Sequence, residues 1–198
     1  PASDTSATAC PAAIHSQTKA DPGEMLHSLF STLRDELAMT EMFISAFYAV
    51  IDPVAGELRY SNTGHPHAFL LSKEGGLERL AASDPPLGMD ENPPATTCRR
   101  WVHGKDLLVL FTDGVSDARD RFGERLGEHD VIEIAQRHRA ADPSVILDRL
   151  FDRVRDHTGE SAQLYRRDGN ERVCVAAAER VSGLHTPARS EEHTSELQ

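Results

Sequence analysis

The residues best suited to chemistry in this chain are acidic. Residues 107–117 read LLVLFTDGVSD, in which five consecutive apolar residues lead through Thr112 into Asp113 and Gly114. The apolar run predicts a strand buried on both faces. Gly114 predicts a tight turn that aims the Asp113 side chain outward. A carboxylate at the mouth of a buried strand is costly unless something pairs with it, and a hard divalent cation is a suitable partner. The same residues also read, with no metal, as a strand closed by a common Asp-Gly turn. Other carboxylates flank regular elements at Asp4, at Asp117, and from Asp168 to Glu171. If such groups converge, two cations roughly 3.5–4 Å apart can clamp a phosphate and activate a water.

The elements that must bring them together alternate between the two periodicities. Asp21-Pro22-Gly23-Glu24 is a helix start, with Asp21 as cap, Pro22 in the first turn and Glu24 at capping-box distance. Met25, Leu26, Leu29, Phe30, Leu33 and Leu37 then form an apolar stripe at helical spacing. An earlier helix is expected over residues 11–19. Residues 42–51 are apolar, aromatic and β-branched and predict a strand, which the turn at 52–56 folds into a second strand carrying Leu58 and Tyr60. Residues 68–71 and 77–80 predict another hairpin around Gly75-Gly76, 81–94 a loop, and 96–102 a strand that turns into 107–111. Two helices follow, over 130–139 and from Asp142-Pro143 to Gly159, and a last strand over 172–178. Helices, strands, helices, strand: this order predicts an α+β fold with helices packed on antiparallel sheets.

Composition narrows the function classes. The sequence has 198 residues, 39% of them hydrophobic, enough for one domain with a sizeable core. A net charge of −11 argues against nonspecific binding to nucleic acid or an anionic membrane. The longest apolar runs are far short of the roughly 20 residues that span a bilayer. Cys10, Cys98 and Cys174 are widely spaced and form no CxxC pair, which predicts reduced thiols and a cytoplasmic setting. Ser6, Ser61 and Ser116 lack a GxSxG context, and no Walker loop or GxGxxG occurs. The Arg119-Asp120-Arg121 and Arg166-Arg167 clusters read as solvated faces, with phosphopeptide guidance as the alternative. His65 and His67 would share one face of a strand, but no acid or third His stands near them in a recognised pattern.

Four segments, in order, carry a resemblance: 42–52 (MFISAFYAVID), 56–66 (GELRYSNTGHP), 85–88 (PPLG) and 104–119 (GKDLLVLFTDGVSDAR). Together they resemble the bacterial metal-dependent protein phosphatases of the type 2C superfamily, in the SpoIIE branch. The resemblance covers about residues 3–180. It implies a four-layer αββα sandwich of antiparallel sheets flanked by helices, and hydrolysis of phosphoserine or phosphothreonine by a water bridging two Mn2+ or Mg2+ ions. The implied substrate is a phosphorylated regulatory protein, in this branch often an anti-sigma-factor antagonist. Gly-His-Pro is a structural turn in that family.

Residue by residue, Asp113 matches a family metal aspartate and Gly114 its turn glycine. Asp4 matches the aspartate of the family's Gly-Asp-x-Ser-Gly-x-Gly segment, with the Thr5 carbonyl as the neighbouring ligand. Here that segment reads Ser3-Asp4-Thr5-Ser6-Ala7-Thr8-Ala9, without its three glycines. The terminal acid pair falls on Asn170 and Glu171, or on Asp168-Gly169 in a shifted alignment. The family's earliest metal aspartate would lie upstream of Pro1, so a sequence truncated at its start is expected. Residues 181–198 are expected to form a tail outside the domain, and RSEEHTSELQ at its end resembles a translated sequencing adapter. The alternative function is a phosphatase-like module that binds its partner without turnover.

Overall fold

The computed structural model describes residues 21–72, 74–168 and 171–179, and for 164–168, 171–173, 175 and 176 only the backbone. The expected helix over 11–19, the tail, and candidates Asp4, Thr5 and Asn170 lie outside the described residues.

Helix α1 (Pro22–Thr40) starts where its cap requires. The Asp21 carboxylate accepts from the amides of Gly23 at 2.9 Å and Glu24 at 3.1 Å. The Thr96 hydroxyl donates to the same carboxylate oxygen at 2.6 Å and accepts from the Gly23 amide at 2.9 Å. A Cβ on Gly23 would lie 2.1 Å from the Pro94 carbonyl, so glycine lets the helix start abut the chain entering the fifth strand. Leu26, Phe30 and Leu37 are buried, whereas Met25 and Leu29 remain 40% and 41% exposed. The apolar stripe is thus wider than the surface it covers.

The strands are β1 (Ala46–Asp52), β2 (Glu57–Thr63), β3 (Ala68–Leu71), β4 (Leu77–Arg79), β5 (Thr97–Arg100) and β6 (Leu107–Leu110). They form two antiparallel three-stranded sheets, ordered β1-β2-β5 and β4-β3-β6. Side-chain alternation stacks the layers. Ala46 and Tyr48 of β1 face α1, packing with Leu26, Phe30 and Leu37. Phe47 and Ala49 face the other way and meet Leu58 and Tyr60 of β2, Ala68 and Leu70 of β3, and Leu108 of β6. On the far side of the second sheet, Phe69 and Leu71 pack with Leu107 and Val109 against α3 (Gly127–Arg137) and α4 (Pro143–Thr158) through Val131, Ile132, Ala135 and Ile146. Helix, sheet, sheet, helices: the four-layer α+β sandwich is present.

Several boundaries differ from expectation. Ladder pairing in the strand expected over 42–51 begins only at Ala46, because Met42 and Phe43 are exposed and Ile44 makes an isolated bridge to Leu87. Helix α3 starts three residues early and buries Ile132 rather than Ile134. The strand over 107–111 is not buried on both faces throughout. Both its faces are covered, but among the described residues it pairs only with β3, and as an edge strand it leaves Leu110 46% exposed. Strand β7 (Ala162–Asp168) was not expected; it pairs antiparallel with β8 (Glu171–Ala178), and this hairpin packs on α4. Cys174 is free and exposed. No helix of the described residues is long and apolar enough to cross a membrane.

Leu71, 1% exposed at the C-terminal end of β3, tests this packing. Leu71→Ala should lower unfolding stability by about 2–5 kcal/mol with an unchanged denaturant slope, as read by urea unfolding.

Candidate metal site at the end of β6

The site is built from the turn that precedes β3. Asn62 is fully buried, and its amide nitrogen donates to the carbonyls of His65 at 2.9 Å and Leu80 at 2.8 Å. Its side-chain oxygen accepts from the His65 amide at 2.8 Å. Gly64 closes this turn at φ 82°, where a Cβ would sit 2.7 Å from Pro86 Cγ. Both the left-handed backbone and the close approach require glycine. Gly-His-Pro is therefore a structural turn, seated on the Pro85-Pro86 segment, and it delivers His67 to the start of β3.

Asp113 is presented by the strand beside it. After Leu110 the chain leaves β6, with the Phe111 amide still donating to the His67 carbonyl at 3.2 Å. It then enters a single helical turn, α2 (Asp113–Ser116), preceded by an extended Thr112. The Asp117 amide donates to the Asp113 carbonyl at 2.7 Å, and the Ser116 hydroxyl lies 3.4 Å from the same oxygen. Gly114 does not have a positive φ, and a Cβ there would meet only Thr112 Oγ1 at 3.4 Å. The expected glycine-dependent tight turn is thus an ordinary right-handed helical turn. The turn itself, rather than Gly114's freedom, leaves the Asp113 side chain exposed.

No hydrogen bond or ion pair among the described residues occupies the Asp113 carboxylate. Asp117, by contrast, pairs with Arg125 at 3.1 Å. An exposed carboxylate offers hard oxygen donors, so Asp113 fits a hard divalent cation. Among the described residues, no three His, Cys, Asp or Glu side chains are grouped to hold a metal. Asp113 and Gly114 stand together at the end of β6, and Glu171 begins β8 with only its backbone described. Asp4, Thr5 and Asn170, the other expected ligands, lie outside the described residues.

Beside the turn lies a set of contacts that sequence did not reveal. His67 Nδ1 is 2.8 Å from Glu128 Oε2, and its Nε2 is 3.2 Å from Ser116 Oγ. Its ring stacks on Phe111, centroids 4.6 Å apart. An acid does stand beside this histidine, but it is 61 residues away in sequence, on the first turn of α3, and no periodicity links the two.

The family model for stage II sporulation protein E (SpoIIE) matches residues 6–180. The chain belongs to the SpoIIE family. It is similar to Protein IcfG of Synechocystis sp., 34% identical over 122 residues, covering 62% of this chain and 19% of that protein. It is also similar to the phosphoserine phosphatase RsbP of Bacillus subtilis, 36% identical over 92 residues, covering 46% of this chain and 22% of that protein. The matched parts thus span about a fifth of these relatives' lengths. Among solved structures, the SiaA-PP2C domain of Pseudomonas aeruginosa has the same fold, with a TM-score of 0.61 at 15% identity over 71% of this chain and 55% of that one. At 15% identity that likeness concerns the fold.

The SpoIIE-family turn at Gly64 gives a direct test. Gly64→Ala should lower stability by about 1 kcal/mol or more, because strain and the contact with Pro86 add. Thermal unfolding should show the loss, with Gly104→Ala as a control for left-handed strain alone, since nothing lies within 4 Å of a Cβ at that φ 70° position.

Proposed function

We propose that this domain hydrolyses phosphoserine or phosphothreonine in a phosphorylated regulatory protein, using two Mn2+ or Mg2+ ions, and that it works in the cytoplasm. The observation that carries the reading is Asp113, an exposed carboxylate at the end of a core-packed strand; the resemblance implies a metal aspartate at this position. The proposed ligand set is Asp113 and the adjoining Gly114, with Asp4, the Thr5 carbonyl, Asn170 and Glu171. Carboxylate, carbonyl and amide oxygens suit hard cations better than soft ones. When bound, such ions activate water and offset charge on the phosphoryl group.

The chain's own residues supply placement. Strand β6 and the α2 turn hold the Asp113 carboxylate in solvent, where a phosphorylated side chain on a protein surface can reach it. The exposed Arg119 and Arg121 follow on the same segment and could contact phosphate or an acidic partner. The partner we propose is a small phosphorylated protein of the anti-sigma-factor antagonist type.

The test is hydrolysis of p-nitrophenyl phosphate and of a phosphoserine peptide, with Mn2+ or with EDTA. Turnover should require Mn2+, and Asp113→Asn should reduce it at least 100-fold (about 2.7 kcal/mol in transition-state stabilisation) while leaving the melting temperature near wild type. Metal-independent turnover, or full activity in Asp113→Asn, would refute the assignment. Partner binding with no turnover under any metal would instead identify a binding module.

A further inference from the structure

One polar chain beside the site, running from the exposed Arg79 inward to the buried Ser116, has no part in the ligand set. It begins at Arg79 on β4, whose guanidinium lies over the Phe69 ring, 4.6 Å from its centroid, and donates to the Pro66 carbonyl at 2.6 Å. Arg79 also pairs with Glu128. The other Glu128 oxygen takes His67 Nδ1 at 2.8 Å, and His67 Nε2 meets Ser116 Oγ at 3.2 Å. A carboxylate only accepts, so His67 Nδ1 donates to Glu128, which leaves Nε2 at the far side of the ring for the contact with Ser116 Oγ. The His67 side chain is 14% exposed and Ser116 only 5%. Such groups are costly inside a protein unless paired, and once paired they fix direction.

What they fix is the α2 turn. Ser116 closes it, with its hydroxyl 3.4 Å from the Asp113 carbonyl. Burial keeps Ser116 from acting on a protein substrate, which excludes the Ser-His-Glu order of contacts as a nucleophilic triad here. We propose that His67 is a positioning residue: locked by Glu128 and stacked on Phe111, it anchors Ser116 and so holds in place the α2 turn from which Asp113 offers its carboxylate to a cation. This rests on the reading of Asp113 as a metal ligand. His67 therefore acts on cation affinity through Ser116 and takes no part in binding substrate.

The experiment titrates the full chain with Mn2+ alone by calorimetry, and separately follows amide hydrogen exchange over residues 113–117 without metal. His67→Phe keeps a ring for Phe111 and removes both hydrogen bonds. It should weaken Mn2+ binding about tenfold, the usual effect of losing an outer-shell partner. Ser116→Ala should do the same, and the double variant should be no weaker than either single one, because both break one link. Exchange at the 115–117 amides should quicken in both. Asp113→Asn should weaken Mn2+ binding while leaving that exchange at the wild-type rate. If His67→Phe lowers only the melting temperature, with Mn2+ affinity and α2 exchange unchanged, the role is merely structural and the proposal is overturned. If Asp113→Asn and wild type titrate alike, the metal reading itself has failed and the positioning role falls with it. Should His67→Phe not fold, Ser116→Ala decides alone, by the same two readouts.

Discussion

The register between β3 and β6 is the constraint on which the rest depends. Ala68 pairs with Leu110, Phe69 with Val109, Leu70 with Leu108 and Leu71 with Leu107. All four β3 residues are buried, two against the first sheet and two against the α3–α4 layer. A slip of one residue would exchange the two faces, driving Phe69 and Leu71 into the space between the sheets where Ala68 and Leu70 fit. The register is therefore set by volume on both sides of the strand. It has one consequence for chemistry: the antiparallel pairing puts the exit of β6 beside the entry of β3. His67 and Phe111 meet there, the Phe111 amide on the His67 carbonyl and ring on ring, and the turn that carries Asp113 follows directly.

The polar contacts then refine what packing has placed. Asn62 ties the turn before β3 to Leu80 after β4, and its carbonyl accepts from the amides of Ser83 and Asp84 in the following loop. Gly64 sits on Pro86, and Leu87 bridges to Ile44 ahead of β1. The segments that carry the family resemblance are thus in contact with one another. Their order in sequence is specific because each supplies part of one surface: a turn, the proline it rests on, and the strand end it faces.

Much of this was legible beforehand where the physics is local. The Asp21 and Asp142 caps, the Gly159 stop at φ 73°, and the hairpins at 52–56 and around Gly75-Gly76 follow from short-range rules, and the structure contains them. The errors lie where neighbours decide. Five apolar residues at 107–111 look the same on a central strand as on a covered edge strand. AQLYRRD has too little alternation to announce β7, which is defined by β8 across the hairpin. Gly114 follows an aspartate as turn glycines do, yet the chain curls right-handed there and needs no special conformation. Of the candidate site, Asp113 with Gly114 at a strand end, and Glu171 at the start of β8, could be read from sequence and found among the described residues. The His67–Glu128 contact spans two layers and could not be read from sequence at all.

Charge alone does not make Asp113 distinctive in a chain with a formal net charge of −11. Asp35 and Glu36 on the outer face of α1 are equally exposed. They differ in what holds them. Those two ride on a solvated helix face. Asp113 follows a strand fixed on one side by β3 and precedes a turn closed by a buried serine. A hard cation bound by several oxygens gains from each only if the oxygens are already aimed, since ordering a free side chain consumes much of what the contact returns. The acids next to the turn are meanwhile engaged by arginines, Asp117 with Arg125 and Glu128 with Arg79. A backbone held at the end of a packed strand, and neighbours whose charge is already matched, separate a candidate ligand from an acidic surface, and the first traces back to the strand pair that carries it.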